Sequence, residues 1–434
     1  MLLGNGLGSA PVLAGDFDVG VGYFIAHSSN ITQSQNAPIA EQTQAVIGGF
    51  AYVERTLELQ AQLLAQAEWR EYVHNTLNPN SAYYVNGAML WTISPQQLFW
   101  SVADVASEVR VDPVAPDVPS NRTNANALST GPDFTVRLTP TDAAAIGGRY
   151  GRFDTKRALG DNERYSAYAR WLRQLGAQQA LSLNYEATRV YFPDATLYQR
   201  VFQEDWFLRF DSRFASTDSI SVDLGVTTVQ RAGGEDVNGR LARLTLTRRI
   251  TPTSTLKLSL TNQFSDPYID LIGGVTSATA PTESAPATLD SGTILITDNV
   301  YRSKRRQFSY VNSDGRVRYT LRGYIRTVDF QQSASDQEER GGQLGWYWLY
   351  SNETQVYAYA AYFKRTFLDV ALEDRENNFT VGVTYRVSRN LTITTEGERI
   401  ERGSSTAGAS FVENRAMLLL GYSTGPLYTV KSRR

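Results

Sequence analysis

The chain has 434 residues and a formal net charge of -2, and 42% of its residues are hydrophobic, 11% aromatic and 20% charged. This composition excludes an intrinsically disordered protein, and the near-neutral charge gives no basis for nucleic-acid binding. The sequence has no cysteine, which excludes disulfides and thiolate metal sites, and no run of about 18 apolar residues that would predict a transmembrane helix.

The N-terminal segment has two interpretations. Residues 2–14 resemble the last part of a secretory signal, with Val12 and Ala14 as small residues ahead of Gly15. The basic start and most of the apolar segment of a signal are missing, so an ordinary flexible N-terminus is the alternative. We therefore expect residues 1–16 to be a signal-peptide remnant or a flexible N-terminus.

Apolar and polar residues alternate from about Phe17 to Tyr422. In residues 56–70 the odd positions from Leu57 to Trp69 are apolar, and the even positions are mostly polar. The same alternation recurs in residues 206–214, 220–226, 317–326 and 379–386. Successive side chains of a strand point to opposite faces, so each run predicts a strand with one apolar and one polar face.

The length of these runs favours a membrane barrel over a soluble sandwich. Most runs reach the roughly nine to eleven residues that a tilted membrane-crossing strand needs, whereas average soluble strands have about five or six. Residues 54–73 and 162–179 are rich in helix-favouring residues. Their apolar residues alternate rather than recur at every third or fourth position, so we predict strands there too.

The connections between the runs alternate between short and long. Short polar turns are predicted at 55–56, 94–96, 139–142, 176–178, 216–218, 251–253, 312–315, 351–353 and 388–390. Longer connections lie near residues 27–43, 71–82, 111–130, 154–163, 192–199, 266–303, 330–338 and 403–411. Outer-membrane barrels have short periplasmic turns and longer extracellular loops.

The fold class that follows is an all-β, transmembrane antiparallel up-and-down β-barrel of about twenty strands, with eighteen as the alternative. We expect residues 17–422 to form this barrel in the outer membrane of a Gram-negative bacterium, and residues 423–434 to be a C-terminal tail. An even strand number places both termini in the periplasm.

Charges of both signs collect on the faces that would point into the barrel. Twelve of them are predicted to line a pore: Arg137, Arg149, Arg209, Asp211, Arg213, Asp223, Arg243, Arg318, Arg322, Arg326, Glu396 and Glu398. Glu58 and Glu68 share the same pattern. Buried unpaired charges are costly, so these side chains need water or each other. A wet lumen used for transport and cross-strand ion pairs that merely fill the barrel are the two alternatives.

Two loops and a set of aromatic residues add further expectations. Residues 266–303 are either a mobile surface loop or a constriction folded into the lumen. Residues 112–134 form either an ordered lid over the rim or a glycan contact: Pro113, Pro116 and Pro119 stiffen them, while Asn121, Asn124 and Asn126 offer amides. An interfacial girdle is predicted from Trp91, Trp100, Trp171, Trp346, Trp348 and Tyr350.

Catalytic and metal-binding patterns are weak. The two histidines, His27 and His74, are not surrounded by any recognisable hydrolase signature. Asp112 and Asp117 flank a proline-rich stretch and are at most a faint indication of calcium. We therefore predict no enzyme, no cofactor and no metal site.

One segment resembles a known family. Asp112-Pro113, Ala115-Pro116, Pro119, Asn121-Arg122, Asn124 and Ser129-Thr130-Gly131-Pro132-Asp133-Phe134 are similar to a stretch of the β-barrel porin 2 family, as are Arg305-Arg306 and Glu413-Asn414-Arg415. The resemblance implies an outer-membrane barrel and makes polysaccharide export a candidate role. Outer-membrane lipid, polysaccharide and periplasmic export components are then the expected partners. A general diffusion porin, an outer-membrane enzyme and a structural partner of an exopolysaccharide export machine remain alternatives.

Overall fold

Long antiparallel strands make up nearly all of the described structure. The computed structural model describes residues 15–425, except 158–159, 195–198, 216, 274–295, 298, 331–335 and 370–371. The strands are β1 (Asp16–Ser28), β2 (Glu41–Arg55), β3 (Leu59–Tyr72), β4 (Asn80–Ser94), β5 (Leu98–Arg110), β6 (Arg122–Arg137), β7 (Asp142–Thr155), β8 (Asn162–Gly176), β9 (Gln179–Tyr191), β10 (Arg200–Arg213), β11 (Ser219–Arg231), β12 (Val237–Thr251), β13 (Ser254–Ser265), β14 (Tyr301–Asp314), β15 (Val317–Asp329), β16 (Gln337–Leu349), β17 (Thr354–Phe367), β18 (Leu372–Arg386), β19 (Leu391–Ser404) and β20 (Phe411–Ser423). A short helix, α1 (Pro267–Ile272), follows β13.

The strands close into a barrel. Each strand pairs antiparallel with its neighbours in sequence, and β1 pairs with β20 from Gly20 opposite Ser423 to Ser28 opposite Arg415. Every described strand therefore pairs with two neighbours, and none is a free edge strand. The fold is therefore a closed antiparallel barrel of 20 strands, which confirms the predicted fold class.

The two ends of the barrel differ in the length of their connections. Nine connections of two to five residues lie at one end, here called the turn end. The connections at the other end, the loop end, have four to 35 residues. β1 begins and β20 ends at the turn end. Residues 1–14 and 426–434 lie outside the described residues, so the expectations for both terminal segments stay predictions.

One predicted loop is too long and two connections were missed. β6 begins at Arg122, so the predicted loop of residues 111–130 ends at Asn121, and Asn124 and Asn126 belong to a strand. The small and polar residues of this stretch indicate a loop when read alone, but they pair with β5 on one side and β7 on the other. The connections at 232–236 and 368–371 are not predicted, although they are no shorter than the turns that the sequence indicates elsewhere.

The two faces of the wall differ in chemistry. In β1, Phe17, Val19, Val21, Tyr23 and Ile25 are exposed on the outside, whereas Phe24 and Ser28 are buried on the inside. The same alternation gives most strands an outer row of exposed Leu, Val, Ile and aromatic side chains. Charged and hydroxyl side chains make up much of the inner rows. The wall thus carries apolar groups outwards and polar groups inwards.

Gly225 on β11 allows β10 and β11 to pack at their normal separation. A Cβ atom at Gly225 would lie 2.0 Å from the backbone oxygen of Trp206 and 2.5 Å from Phe207 Cβ. We expect Gly225→Ala to lower the free energy of unfolding by about 1–3 kcal/mol, because the strand backbone must shift. Gly176→Ala is the matched control, since nothing lies within 4 Å of a Cβ there. Urea unfolding in detergent micelles measures both, and equal midpoints would contradict the expectation.

Candidate functional site

The strand register places all twelve predicted pore residues on the inner face of the wall. Arg209, Asp223 and Arg243 stand opposite one another on β10, β11 and β12, and Arg326 stands opposite Glu339 on β16. Arg318, Arg322, Glu396 and Glu398 border one luminal cavity. Glu68 also faces inwards, but Glu58 lies exposed in the turn between β2 and β3. A role of these residues in permeation stays a prediction.

Several of the inner charges form cross-strand ion pairs. Arg209 binds both oxygens of Asp223 at 2.7 Å, and Arg243 approaches the same carboxylate at 3.4 Å. Arg149 binds Asp133 at 2.6 Å. Within the described residues, Arg322 forms no salt bridge and borders the cavity. The inner wall therefore combines pairs that fill the barrel with charges that face open space.

The connection between β5 and β6, residues 111–121 and here called the cap loop, crosses the lumen. Arg365 on β17 donates to the carbonyl of Pro113 at 3.4 Å. Arg402 on β19 donates to the carbonyls of Val114 and Ala115 at 2.5 and 2.9 Å. These strands lie across the barrel from β5 and β6, so three consecutive carbonyls of the cap loop are held by the opposite wall. The structure favours the lid interpretation of this proline-rich segment.

The asparagine amides predicted to be available for a glycan are used inside the protein. Asn121 donates to the carbonyls of Asp112 and Pro116 at 2.8 and 2.9 Å. Asn124 donates to the carbonyl of Ser81 at 3.3 Å, and Asn126 donates to Asp104 at 2.8 Å. The amides therefore shape the cap loop and attach β6 to its surroundings.

A chain of alternating charges holds the base of the cap loop. Arg122 binds Asp117 at 2.7 Å and Glu108 at 2.9 Å, and Arg110 binds Asp117 at 2.9 Å. Arg70 on β3 extends this chain to Glu108 at 3.2 Å. Burial alone would raise the pKa of Asp117, but the guanidinium groups of Arg122 and Arg110 outweigh it and hold its pKa well below the usual range.

The depressed pKa of Asp117 predicts a cap that resists mild acid. Ionised Asp117 stabilises the folded cap loop. Because its folded-state pKa is lowered, this stabilisation is fully present above the ordinary carboxyl pKa of about 4 and is lost only as the pH falls through the lower folded-state pKa. We expect bilayer currents of the unmodified protein to stay constant from about pH 7 to about pH 4. Asp117→Asn should raise the current across this whole range. If the current of the unmodified protein rises between pH 7 and 5 and the current of Asp117→Asn does not, the expectation is wrong.

Helix α1 also lies inside the barrel. Tyr268 and Leu271 pack against Val105, Ala127 and Phe153 on the inner faces of β5, β6 and β7. Asp266, which caps the helix, binds Arg164 on β8 at 2.5 Å. Asp270 binds Arg326 on β15 and accepts a hydrogen bond from Tyr301 at 2.6 Å. The first residues of the long connection are thus fixed in the lumen from two sides, and residues 276–286 lie outside the described residues.

Three buried charges connect α1 with the cap loop. Glu339 on β16 lies 3.8 Å from Arg326 and 2.7 Å from Arg365. Arg326 holds α1 through Asp270, whereas Arg365 holds the cap loop through Pro113. The side chains of Arg326, Glu339 and Arg365 are at most 2% exposed. The two elements that occupy the lumen therefore share one ionic support.

A cavity of about 490 Å³ lies under the cap loop. It extends to Arg318, Tyr347 and Tyr357 near the turn end. The rings of Tyr347 and Tyr357 stack with centroids 6.3 Å apart, and Tyr357 donates to Glu396 at 2.8 Å. The cavity thus combines aromatic faces with carboxylate and guanidinium groups.

The remaining candidates lie away from this cavity or are engaged elsewhere. The predicted girdle residues face outwards near the turn end, where Trp91 stands opposite Trp100 and Trp348 contacts Tyr350 edge to face. His27 continues the exposed outer row of β1 near the loop end, and His74 pairs with Glu41 at 2.9 Å. Asp112 accepts a bond from the backbone of Val114. In the described part of the chain, no three His, Asp or Glu side chains are grouped to hold a metal ion.

Among the described residues, no helix has the length and apolar character needed to span a bilayer.

The residues that hold the cap loop and α1 were not identified from the sequence. They are Arg110, Arg164, Asp266, Asp270, Glu339, Arg365, Asp374 and Arg402. All except Asp266 and Asp270 lie on strands, and all of these but Arg110 could have been assigned to the polar faces of those strands. Their partners are far away in sequence, so the alternation alone carried no signal of their role.

The chain is similar to solved structures at low sequence identity. No family model and no curated protein matches the chain, so the resemblance to the β-barrel porin 2 family stays a prediction. A mutant of the ferric enterobactin receptor PfeA from Pseudomonas aeruginosa is 10% identical, with 93% of this chain and 80% of that chain covered and a TM-score of 0.44. The FrpB iron transporter from Neisseria meningitidis is 9% identical, with 94% and 81% covered and a TM-score of 0.45. OccK2 from Pseudomonas aeruginosa is 10% identical, with 95% and 98% covered and a TM-score of 0.37. Likenesses at this level do not bear on what the chain does.

Proposed function

We propose that this chain is an outer-membrane channel for a hydrophilic solute, and that passage of a polysaccharide is its leading role. The observation that carries the proposal is the two-faced wall of the closed barrel. Exposed apolar rows cover the outside, and a cavity bordered by Arg318, Arg322, Glu396 and Glu398 lies inside. An apolar exterior is stable against lipid, whereas inner charges require water.

The lining of the cavity supports a polysaccharide. Tyr84, Tyr347, Tyr357 and Tyr359 present aromatic rings, on which the apolar faces of sugar rings can pack. Guanidinium, carboxylate and amide groups beside them can exchange hydrogen bonds with hydroxyl groups. The cap loop and α1 then act as the closed state of a pathway that opens for its cargo.

The mixture of charges favours a second candidate. Arg415 lies 3.8 Å from Glu398 in the cavity wall, so positive and negative groups alternate there. A wall of mixed sign selects weakly by charge, as expected for a general diffusion porin. This candidate predicts steady conductance without any need for a specific cargo.

Planar-bilayer recordings of the purified full chain test the proposal. We expect ion conductance that neutral or acidic oligosaccharides block, and no such block by a monosaccharide at equal mass concentration. Equal block by all solutes would favour general diffusion, and no conductance in any condition, including after removal of the cap loop, would refute a channel. Loss of secreted polysaccharide in a deletion strain with normal uptake of small solutes would support export.

A further inference from the structure

A row of basic side chains crosses the outer face of the barrel near the loop end. Arg340 on β16, Lys364 on β17 and Arg375 on β18 stand directly opposite one another in the register. Arg306 on β14 lies in the same row, separated from Arg340 only by Ile325 on β15. Like charges on directly opposed residues destabilise a sheet, so this row is costly unless an anion neutralises it.

The carboxylates nearby neutralise only part of this row. Glu338 binds Arg340 at 2.5 Å, and Glu373 binds Lys364 at 2.7 Å and Arg375 at 2.5 Å. Lys304 on β14 lies beside this row. We call these residues together the basic patch; it has five cations and two anions: Lys304, Arg306, Arg340, Lys364, Arg375, Glu338 and Glu373. The side chains of Arg340 and Arg375 are 60% and 61% exposed, so their guanidinium groups keep free donors.

The position of the basic patch matches one headgroup layer. Eight residues separate Arg340 from Trp348 along β16, which corresponds to about 26 Å of strand. At a strand tilt of about 40° this is roughly 20 Å along the barrel axis, close to the apolar height of about 25 Å in outer-membrane barrels. If Trp348 and its neighbours mark one edge of the apolar layer, the basic patch lies at the other edge.

Among the described outward residues near the loop end, cations stand directly opposite one another on β16, β17 and β18, whereas single arginines lie on β7, β9 and β12. The outer rows of β1, β2, β3 and β4 contain no Lys or Arg along their whole length. A general requirement for solubility explains single arginines spread around the loop-end rim, such as Arg152, Arg189 and Arg240. A local concentration instead indicates a ligand that binds at β14–β18 and carries several negative charges.

We propose that the basic patch binds the phosphate groups of a phosphorylated glycolipid in the membrane leaflet at the loop end. Guanidinium groups bind phosphate oxygens through paired hydrogen bonds, and Lys364 adds a point charge between them. The acyl chains would then lie along the apolar row below, which includes Leu344, Tyr362 and Phe379. This inference rests on the membrane location in the proposed function.

Titration of diphosphorylated lipid A into the purified full chain in neutral detergent, followed by native mass spectrometry, tests the inference. We expect the triple variant Arg340→Gln, Lys364→Gln, Arg375→Gln to lose at least about tenfold in affinity, because each basic residue at an anionic membrane surface contributes roughly fivefold. The matched control is a second triple variant, which removes three outward arginines from the loop-end parts of β7, β9 and β12: Arg152→Gln, Arg189→Gln and Arg240→Gln. Its affinity should stay near that of the unmodified protein.

Equal affinities of the two triple variants, whether both high or both low, would overturn the inference. So would displacement of lipid A by inorganic phosphate at equal concentration, because that identifies a free-anion site rather than a lipid site. A shift between boiled and unboiled samples in gel electrophoresis shows that each variant is a folded barrel. Bilayer conductance is a separate readout, so lipid binding without conductance would refute the channel and leave the lipid site standing.

Discussion

Bilayer recordings of the double variant Arg402→Gln, Asp374→Asn should show a clear rise in open-channel probability. Arg402 donates to two carbonyls of the cap loop and binds Asp374 at 3.0 Å, and its side chain is 2% exposed. Replacing Arg402 alone would leave the buried carboxylate of Asp374 without its cation, which destabilises the fold itself. Changing both residues removes the hold of β19 on the cap loop without leaving a buried charge behind.

The size of this effect follows from the bonds that are lost. A hydrogen bond from a charged donor contributes about 1.5–3 kcal/mol, and two such bonds hold the cap loop from β19. Neutral donors from glutamine can replace part of this. We therefore expect the probability of the open state to rise by about tenfold to a hundredfold.

A control on the same strand separates gating from general damage. Arg399 and Glu401 form an exposed pair at 2.5 Å on the outer face of β19. The variant Arg399→Gln, Glu401→Gln also removes an arginine and a carboxylate, but it does not touch the cap loop. It should conduct like the unmodified protein. If the Arg402 variant folds as a barrel and still conducts like this control, the cap loop does not gate the lumen.

The barrel itself could be predicted from the sequence because its signal is local. Alternation within a run, as in residues 56–70, requires only that neighbouring side chains face opposite sides of one strand. The short turns at 139–142 and 251–253 contain proline and small polar residues whose preferences are also local. Strand number, order and the inward position of Arg209 and Arg326 follow from these two signals.

The contents of the lumen could not be predicted in the same way. Arg402 and Val114 are 288 positions apart in the chain, and Arg326 and Asp270 are 56 apart. Nothing in the alternation distinguishes Arg402 from Arg322, since both are inward arginines on long strands. The proline content of the cap loop indicates stiffness, but which wall it reaches depends on the closure of the whole barrel.

The ionic support beneath both luminal elements gives the largest expected effect on stability. Arg326→Met should lower the free energy of unfolding by about 3–5 kcal/mol, because removal of one partner leaves a buried opposite charge uncompensated. Asp270 loses its cation on α1, whereas Glu339 keeps Arg365 at 2.7 Å. Urea unfolding in detergent micelles, followed by tryptophan fluorescence, measures the change.

A second substitution and a surface control identify the cause of this loss. Arg326→Met combined with Asp270→Asn should recover most of the stability, since the neutral amide no longer needs a cation and can still accept the hydrogen bond from Tyr301. Arg152→Met breaks an ion pair with Asp154 whose side chains are 52% and 39% exposed, so it should cost less than about 1 kcal/mol. Equal losses in Arg326→Met and the double variant would show that packing of the arginine, and not its charge, supports α1. Recovery by the double variant would instead show that charge compensation of Asp270 holds α1 in the lumen.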